Sequence, residues 1–143
     1  MNVEKFKYIF QGLTRAYGEY TPGDTKNGKV GGSAVTKRDI VSDALWKNHL
    51  EGKAPSLGIV PIRDDSTCTW GCIDIDTYPL DHKSILKRIK KLKLKITMCR
   101  SKSGGAHLFL FFEKPIEAKE VRNKLTEMSA ALGYGSSEIF PKQ

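Results

Sequence analysis

Gly71-Cys72-Ile73-Asp74-Ile75-Asp76 reads as a β-strand whose side chains alternate across the pleat, with Ile73 and Ile75 on one face and Asp74 and Asp76 on the other. Two carboxylates so close repel each other and resist burial, so the pattern is stable where a cation or solvent compensates them. Mg²⁺ and Mn²⁺ prefer oxygen ligands, and Mg²⁺ is commonly held by one or two carboxylates together with substrate phosphates. A strand of this kind calls for a phosphate-binding element elsewhere in the chain.

Working outward, Asp64-Asp65-Ser66 is a turn signal between Leu57-Gly58-Ile59-Val60-Pro61-Ile62 and the run Thr67 to Asp76, which predicts a β-hairpin. Tyr78-Pro79 ends the second strand. Asp81 can then cap a helix with Ile85, Leu86, Ile89 and Leu92 on one side and Lys83, Lys87, Arg88, Lys90 and Lys91 around the rest. Those lysines fit a solvated face or a nucleic-acid contact. Lys93 to Arg100 alternates as a strand, Ser101-Lys102-Ser103-Gly104-Gly105 is a tight turn, and His107 to Phe112 is a strand stopped by Pro115. Val121, Leu125, Met128 and Leu132 predict a helix over about 117–132 that stops at Gly133, and Glu138-Ile139-Phe140 opens a last strand.

Upstream, Phe6, Ile9, Phe10 and Leu13 mark an amphipathic helix. Residues 18–35 hold five glycines and a proline and read as a loop, with room for a short hairpin; Lys26, Lys29, Lys37 and Arg38 make it basic. It is either a plain connection or a segment that closes over phosphates. Thr36-x-x-Asp39 resembles a capping box and predicts a helix over about 37–50, stopped near Gly52. From residue 57 the order is β-β-α-β-β-α-β, an α+β sandwich in which two helices cover one face of an antiparallel sheet.

At 143 residues the chain suits one domain with a proper core: residues 1–56 form a helical and basic loop portion and 57–143 the core. No apolar run approaches membrane-spanning length, and Lys5, Lys7 and Tyr8 interrupt any secretory segment, so an intracellular protein without a membrane partner is expected. A formal net charge of +8 favours a polyanionic partner, nucleic acid or nucleotides, although a basic surface also serves plain solubility. Cys68, Cys72 and Cys99 give an odd count without a disulfide framework, and Cys68-x-x-x-Cys72 lacks the second pair that a structural zinc requires.

Three clusters carry chemistry: Asp74 with Asp76; Arg100 through His107; and Glu138 with Lys142. A Ser/Gly turn exposes backbone N–H groups to phosphate oxygens, Arg100 and Lys102 add charge, and His107 can donate to a phosphate. A plain hairpin turn with positive-φ glycines explains Gly104 and Gly105 equally well, but leaves the polar and basic company unexplained.

Gly71-Cys-Ile-Asp-Ile-Asp76, then Arg100-Ser-Lys-Ser-Gly-Gly-Ala-His-Leu-Phe-Leu-Phe-Phe112, then Glu138-Ile-Phe-Pro-Lys-Gln143 resemble, in order, the three motif regions of archaeo-eukaryotic primase-polymerases. The subgroup they look most like is the primase domain of TOTE conflict systems and related phage or mobile-element primases. Phe10-x-Gly12, His49-Leu50-Glu51-Gly52 and Gly58-Ile59-Val60-Pro61 look similar to it as well.

The resemblance implies a catalytic core on an RNA-recognition-motif-like antiparallel sheet, with helices on one face and a helical and loop region before it. By the same resemblance the core is expected to be cut short at its C-terminal end. The implied activity is a DNA primase or DNA-directed polymerase that uses dNTPs or NTPs and a DNA template and primer, and releases pyrophosphate by a two-metal mechanism with Mg²⁺ or Mn²⁺. By the same resemblance Asp74, Asp76 and Glu138 are the catalytic metal ligands, Glu138 standing where many relatives carry Asp. Arg100, Ser101, Lys102, Ser103, Gly105, His107 and Lys142 contact the nucleotide. A helicase or other module in a longer protein, and a cytoplasmic bacterial, phage or mobile-element setting, follow in the same way. Two other readings of the residues stay open. One is a non-catalytic RNA-recognition-type binding module, which would show aromatic residues on its central strands where this chain has aspartates. The other is a metal-dependent nuclease using Asp74, Asp76 and His107.

Overall fold

The computed structural model describes residues 2–26 and 29–142, so Gln143 of the last motif lies outside the described residues. Along the chain come α1 (Val3–Ile9), β1 (Tyr17–Lys26), β2 (Lys29–Lys37), α2 (Asp43–Leu50), β3 (Ser56–Gly58), β4 (Thr67–Ile75), α3 (His82–Lys91), β5 (Thr97–Arg100), β6 (Ala106–Glu117), α4 (Ala118–Ala131) and β7 (Glu138–Phe140). The strands form two antiparallel sheets, β2-β1-β3 and β5-β6-β4-β7. The chain divides into the units Met1–Asp65 and Ser66–Gln143, with one sheet in each. The expected α+β class is what the structure shows.

In the first unit, the Asn2 side chain caps α1 by accepting the Glu4 N–H at 2.9 Å. Phe6 then packs against Phe10, Trp46 and His49, with ring centroids 4.8, 6.0 and 6.1 Å away. The glycine-rich stretch expected to be a loop is a hairpin of two long strands, with Tyr17 opposite Lys37 and Gly18 opposite Thr36. Thr36 is therefore a strand residue and not a helix cap. Asp39 instead accepts the Ile40 N–H at 2.7 Å, and α2 begins only after Ser42.

The hairpin expected between residues 57–62 and 67–76 does not form. β3 pairs with β1 through Gly18–Gly58, Glu19–Leu57 and Tyr20–Ser56, while β4 finds both of its partners later in the chain. His49 Nδ1 accepts the Leu57 N–H at 3.1 Å and so ties α2 to β3.

The second unit runs β4-α3-β5-β6-α4-β7, the RNA-recognition-motif-like arrangement. β4 lies at the centre between β6 and β7. From Gly71 onward, residues of odd number on β4 face the helices: Ile73 and Ile75 are fully buried with Leu108, Ile85, Val121, Leu125 and Leu132, each buried side chain contributing about 1.5–3 kcal/mol. Gly71 continues that face. A Cβ there would lie 2.6 Å from Leu125 Cδ1 and 2.8 Å from Val121 Cγ1, so its bareness lets α4 press on β4.

Asp81 caps α3 as its position suggests, accepting the Ser84 N–H at 3.1 Å. Gly133 ends α4 at φ +86. Pro115 does not stop β6, which runs on to Glu117; the pairing with β4 shifts register between Cys68 and Trp70, and this irregularity accommodates a residue that cannot donate to the ladder. Two arginines link elements. Arg88 Nη1 donates to the Leu132 carbonyl at 2.7 Å, and Arg122 Nη1 donates to the carbonyls of Pro141 at 3.0 Å and Ile139 at 3.5 Å, fastening β7 to α4.

Candidate active site

β4 is buried along nearly its whole length, and Asp74 is where the face away from the helices opens. Its side chain is 31% exposed. The register sets Asp74 directly opposite His107 of β6 and directly opposite Glu138 of β7, and sets His107 opposite Cys99 of β5. Directly opposed residues project to the same face, with Cβ atoms about 4.5–5.5 Å apart. One row therefore crosses the sheet in the order Cys99, His107, Asp74, Glu138.

Each acidic group in this region has an imidazole, ammonium or hydroxyl neighbour. His107 Nε2 is 3.4 Å from Asp74 Oδ1, and Lys142 Nζ is 2.6 Å from Glu138 Oε1. The Lys142 ammonium also stands 5.2 Å over the Phe140 ring. Asp76 is one residue past the end of β4, where its Oδ1 accepts from the Tyr78 hydroxyl. The same hydroxyl is bonded to Ser103 Oγ, and Ser103 Oγ is 3.2 Å from Ser101 Oγ. Tyr78 thus joins the second aspartate to the turn.

That turn, residues 101–105, closes on itself: the Ser101 N–H donates to the Gly105 carbonyl and the Gly104 N–H to the Ser101 carbonyl, both at 3.1 Å. Those two amides are used internally; the two serine hydroxyls and Lys102 are the turn's polar side chains. Gly104 takes the left-handed conformation (φ +94). Gly105 is needed for a different reason: a Cβ there would lie 2.2 Å from the Ile75 carbonyl oxygen, so the turn sits hard against the end of the aspartate strand. His82 Nε2, 2.9 Å from the Gly105 carbonyl, holds the turn from α3.

Arg100 is not in the row. It stands opposite Ala106, which stands opposite Ile75, so it belongs to the helix-facing side of β5. There it lines a cavity of about 430 Å³ with Leu80, Asp81, His82, Lys83 and Met98. Cys72, two residues before Asp74, is buried, and burial together with the Asp74 charge pushes its thiol well above the ordinary range. Three residues of the region have no functional signal in the sequence. Tyr78 looks there like a strand stop, His82 like an isolated histidine, and Cys99 like a member of an odd count; their places beside the candidate site arise from register and from turn geometry, which no local pattern encodes.

The described residues contain no group of three or more His, Cys, Asp and Glu side chains gathered tightly enough to hold a metal ion. The donor chemistry nevertheless fits a hard divalent cation, because Asp74 and Glu138 are part-exposed carboxylates side by side on neighbouring strands, and Asp76 follows close behind.

The family model described as TOTE conflict system, Archaeo-Eukaryotic Primase domain, matches residues 3–141. The chain belongs to that family. No curated protein matches the sequence. Membership supports a primase-like, nucleotidyltransferase role in general, acting on nucleic acid and nucleotides. No described helix of this primase domain is long and apolar enough to cross a membrane.

Proposed function

We propose that this primase domain carries out template-directed nucleotidyl transfer on DNA, joining a 3′-hydroxyl to the α-phosphate of a dNTP or NTP and releasing pyrophosphate. The observation that carries the reading is the row His107, Asp74, Glu138 beside the Ser101–Gly105 turn. It brings two carboxylates, an imidazole and the polar side chains of the turn, from four segments, to one end of the sheet, which supports the reading.

In this reading Asp74, Asp76 and Glu138 hold Mg²⁺ or Mn²⁺. When bound, the ions would stabilise the charge on the attacking and leaving oxygens. The chain's own groups bind and orient. His107 and the hydroxyls of Ser101 and Ser103 donate to triphosphate oxygens, with Lys102 and Lys142 supplying positive charge where pyrophosphate departs. Gly105 permits the close approach of the turn to β4 and so fixes the distance between phosphates and carboxylates. The new bond forms as the α–β phosphoanhydride bond breaks, and the hydroxyl proton passes to solvent.

The deciding experiment is extension of a labelled primer on a DNA template with dNTPs or NTPs and Mg²⁺ or Mn²⁺, comparing wild type with Asp74→Asn, Glu138→Gln and His107→Ala. Loss of extension on the order of a hundredfold in each variant is expected. Metal-dependent cutting of the template without extension would point to a nuclease instead. A second reading, a non-catalytic binding module, draws on Phe109 and Phe111, which follow His107 on the same face of β6 with ring centroids 5.9 Å apart and planes 25° apart. Aromatic pairs on a sheet face can stack bases. That reading requires binding that neither extends nor cuts and that weakens in Phe111→Ala.

A further inference from the structure

Between His82 and Phe112 lie nine of the 24 Lys and Arg residues and none of the 16 Asp and Glu, so the rest of the chain carries 15 basic and 16 acidic residues. The entire net charge of +8 therefore resides in the segment formed by α3, β5, the turn and the start of β6. Within α3, Lys83, Lys87, Lys90 and Lys91 recur at i, i+4, i+7 and i+8 and make one exposed stripe, on the opposite side from the buried Ile85 and Ile89.

An ordinary solvated helix interleaves signs. α4 does so, with Glu120 four residues before Lys124 and Glu127 three after it. In α3 the i, i+4 neighbours on the stripe are Lys–Lys pairs, each destabilising by about 0.2–0.5 kcal/mol. Lys90 and Lys91 gain from the helix C-terminus, but Lys83 lies in the first turn, where positive charge is unfavourable. Arg88 is not part of the stripe, since its guanidinium is committed to Leu132.

The stripe ends beside the Ser101–Gly105 turn. At its N-terminal end, Lys83 and Arg100 border one cavity, His82 touches the turn, and Asp81 is occupied in capping. From Lys83 to Lys91 the helix rises about 12 Å. That is the run of three or four phosphates along one strand of a duplex, at about 3.4 Å each.

We propose that the outer face of α3, continued by Lys93, Lys95 and Arg100, docks the phosphate backbone of DNA on the helix side of the sheet, beside the Ser101–Gly105 turn. The proposal rests on the nucleotidyl-transfer reading only for what the docked strand is used for. An anionic membrane is the other polyanion a basic helix could meet, but an interfacial helix needs a free apolar face to insert. In α3 most of that face is spent inside the unit: Ile85 is 1% and Ile89 7% exposed, and what remains, Leu86 at 41% and Leu92 at 45%, is two part-covered side chains and not a continuous apolar face.

The test is fluorescence anisotropy of a labelled primer–template duplex with the full chain, in a salt series, comparing wild type with Lys87→Gln/Lys90→Gln/Lys91→Gln and, on α4, Lys119→Gln/Lys124→Gln. The α3 variant should bind on the order of tenfold more weakly, with a salt slope shallower by about 0.9 for each phosphate that is no longer neutralised. The α4 variant should bind as wild type does. Equal binding by wild type and the α3 variant overturns the proposal, as does an equal loss in both variants. So does a loss in the α3 variant confined to co-sedimentation with phosphatidylserine vesicles. If the α3 variant loses DNA binding while wild type shows no extension, the docking surface stands and the transfer reading fails. If Asp74→Asn binds DNA normally and extends nothing, both stand.

Discussion

Gly105 and Gly104 are adjacent and do different work. Both are legible as turn residues, but only Gly104 uses the left-handed backbone that glycine allows; Gly105 is there because Ile75 leaves no room. Gly105→Ala should push the turn off the end of β4, with a cost of about 1–3 kcal/mol in denaturant unfolding and a loss of nucleotide affinity beyond what the stability change explains. Cys72 shows the opposite kind of residue, with chemistry suppressed by its surroundings. Its folded thiol keeps its proton above the ordinary value of 9.0, so the folded state binds a proton that the unfolded state releases. Stability from this group is complete below pH 9 and falls above it by about 1.4 kcal/mol per pH unit. Urea midpoints of wild type and Cys72→Ala at pH 8, 9 and 10 should show that extra slope only in wild type. Cys99, exposed in the row, should be alkylated by iodoacetamide in the native protein while buried Cys68 and Cys72 are spared.

Elements are readable where burial gives them a pattern. α3 and α4 each bury one face, so helical spacing appears in the residues themselves; β4, buried on both faces for most of its length, shows alternation at its end, where Asp74 interrupts the burial; and Asp81 and Gly133 mark helix ends by capping chemistry. Replacing Asp81 with Ala should lower stability by about 0.5–2 kcal/mol, a change visible in thermal unfolding. The β1–β2 hairpin has no such pattern. From Thr21 to Lys26 β1 is exposed throughout, so it is held by its ladder of backbone bonds, and its glycines serve close packing: a Cβ on Gly32 would meet the Tyr20 hydroxyl at 2.3 Å. β3 misleads for another reason. A short apolar run ahead of a turn looks like half of a hairpin, but nothing in three residues says which strand they will join.

At the scale of the whole molecule, sequence reveals the residues of the candidate site without revealing their partnerships. Asp-x-Asp spacing marries Asp74 to Asp76, whereas the sheet pairs Asp74 with His107 and with Glu138, 33 and 64 positions away, and leaves Asp76 to Tyr78. Register is a property of the finished sheet. The third carboxylate thus depends on β7, a strand of three residues fastened by Arg122. Removing that fastening with Arg122→Ala should leave the rest of the sheet folded by circular dichroism and lower kcat several-fold with little change in KM, because molecules with β7 undocked do not turn over. On that expectation the arginine would set a duty cycle: the share of time for which the proposed site is whole would be adjustable from the helix side of the sheet, through a residue outside the row.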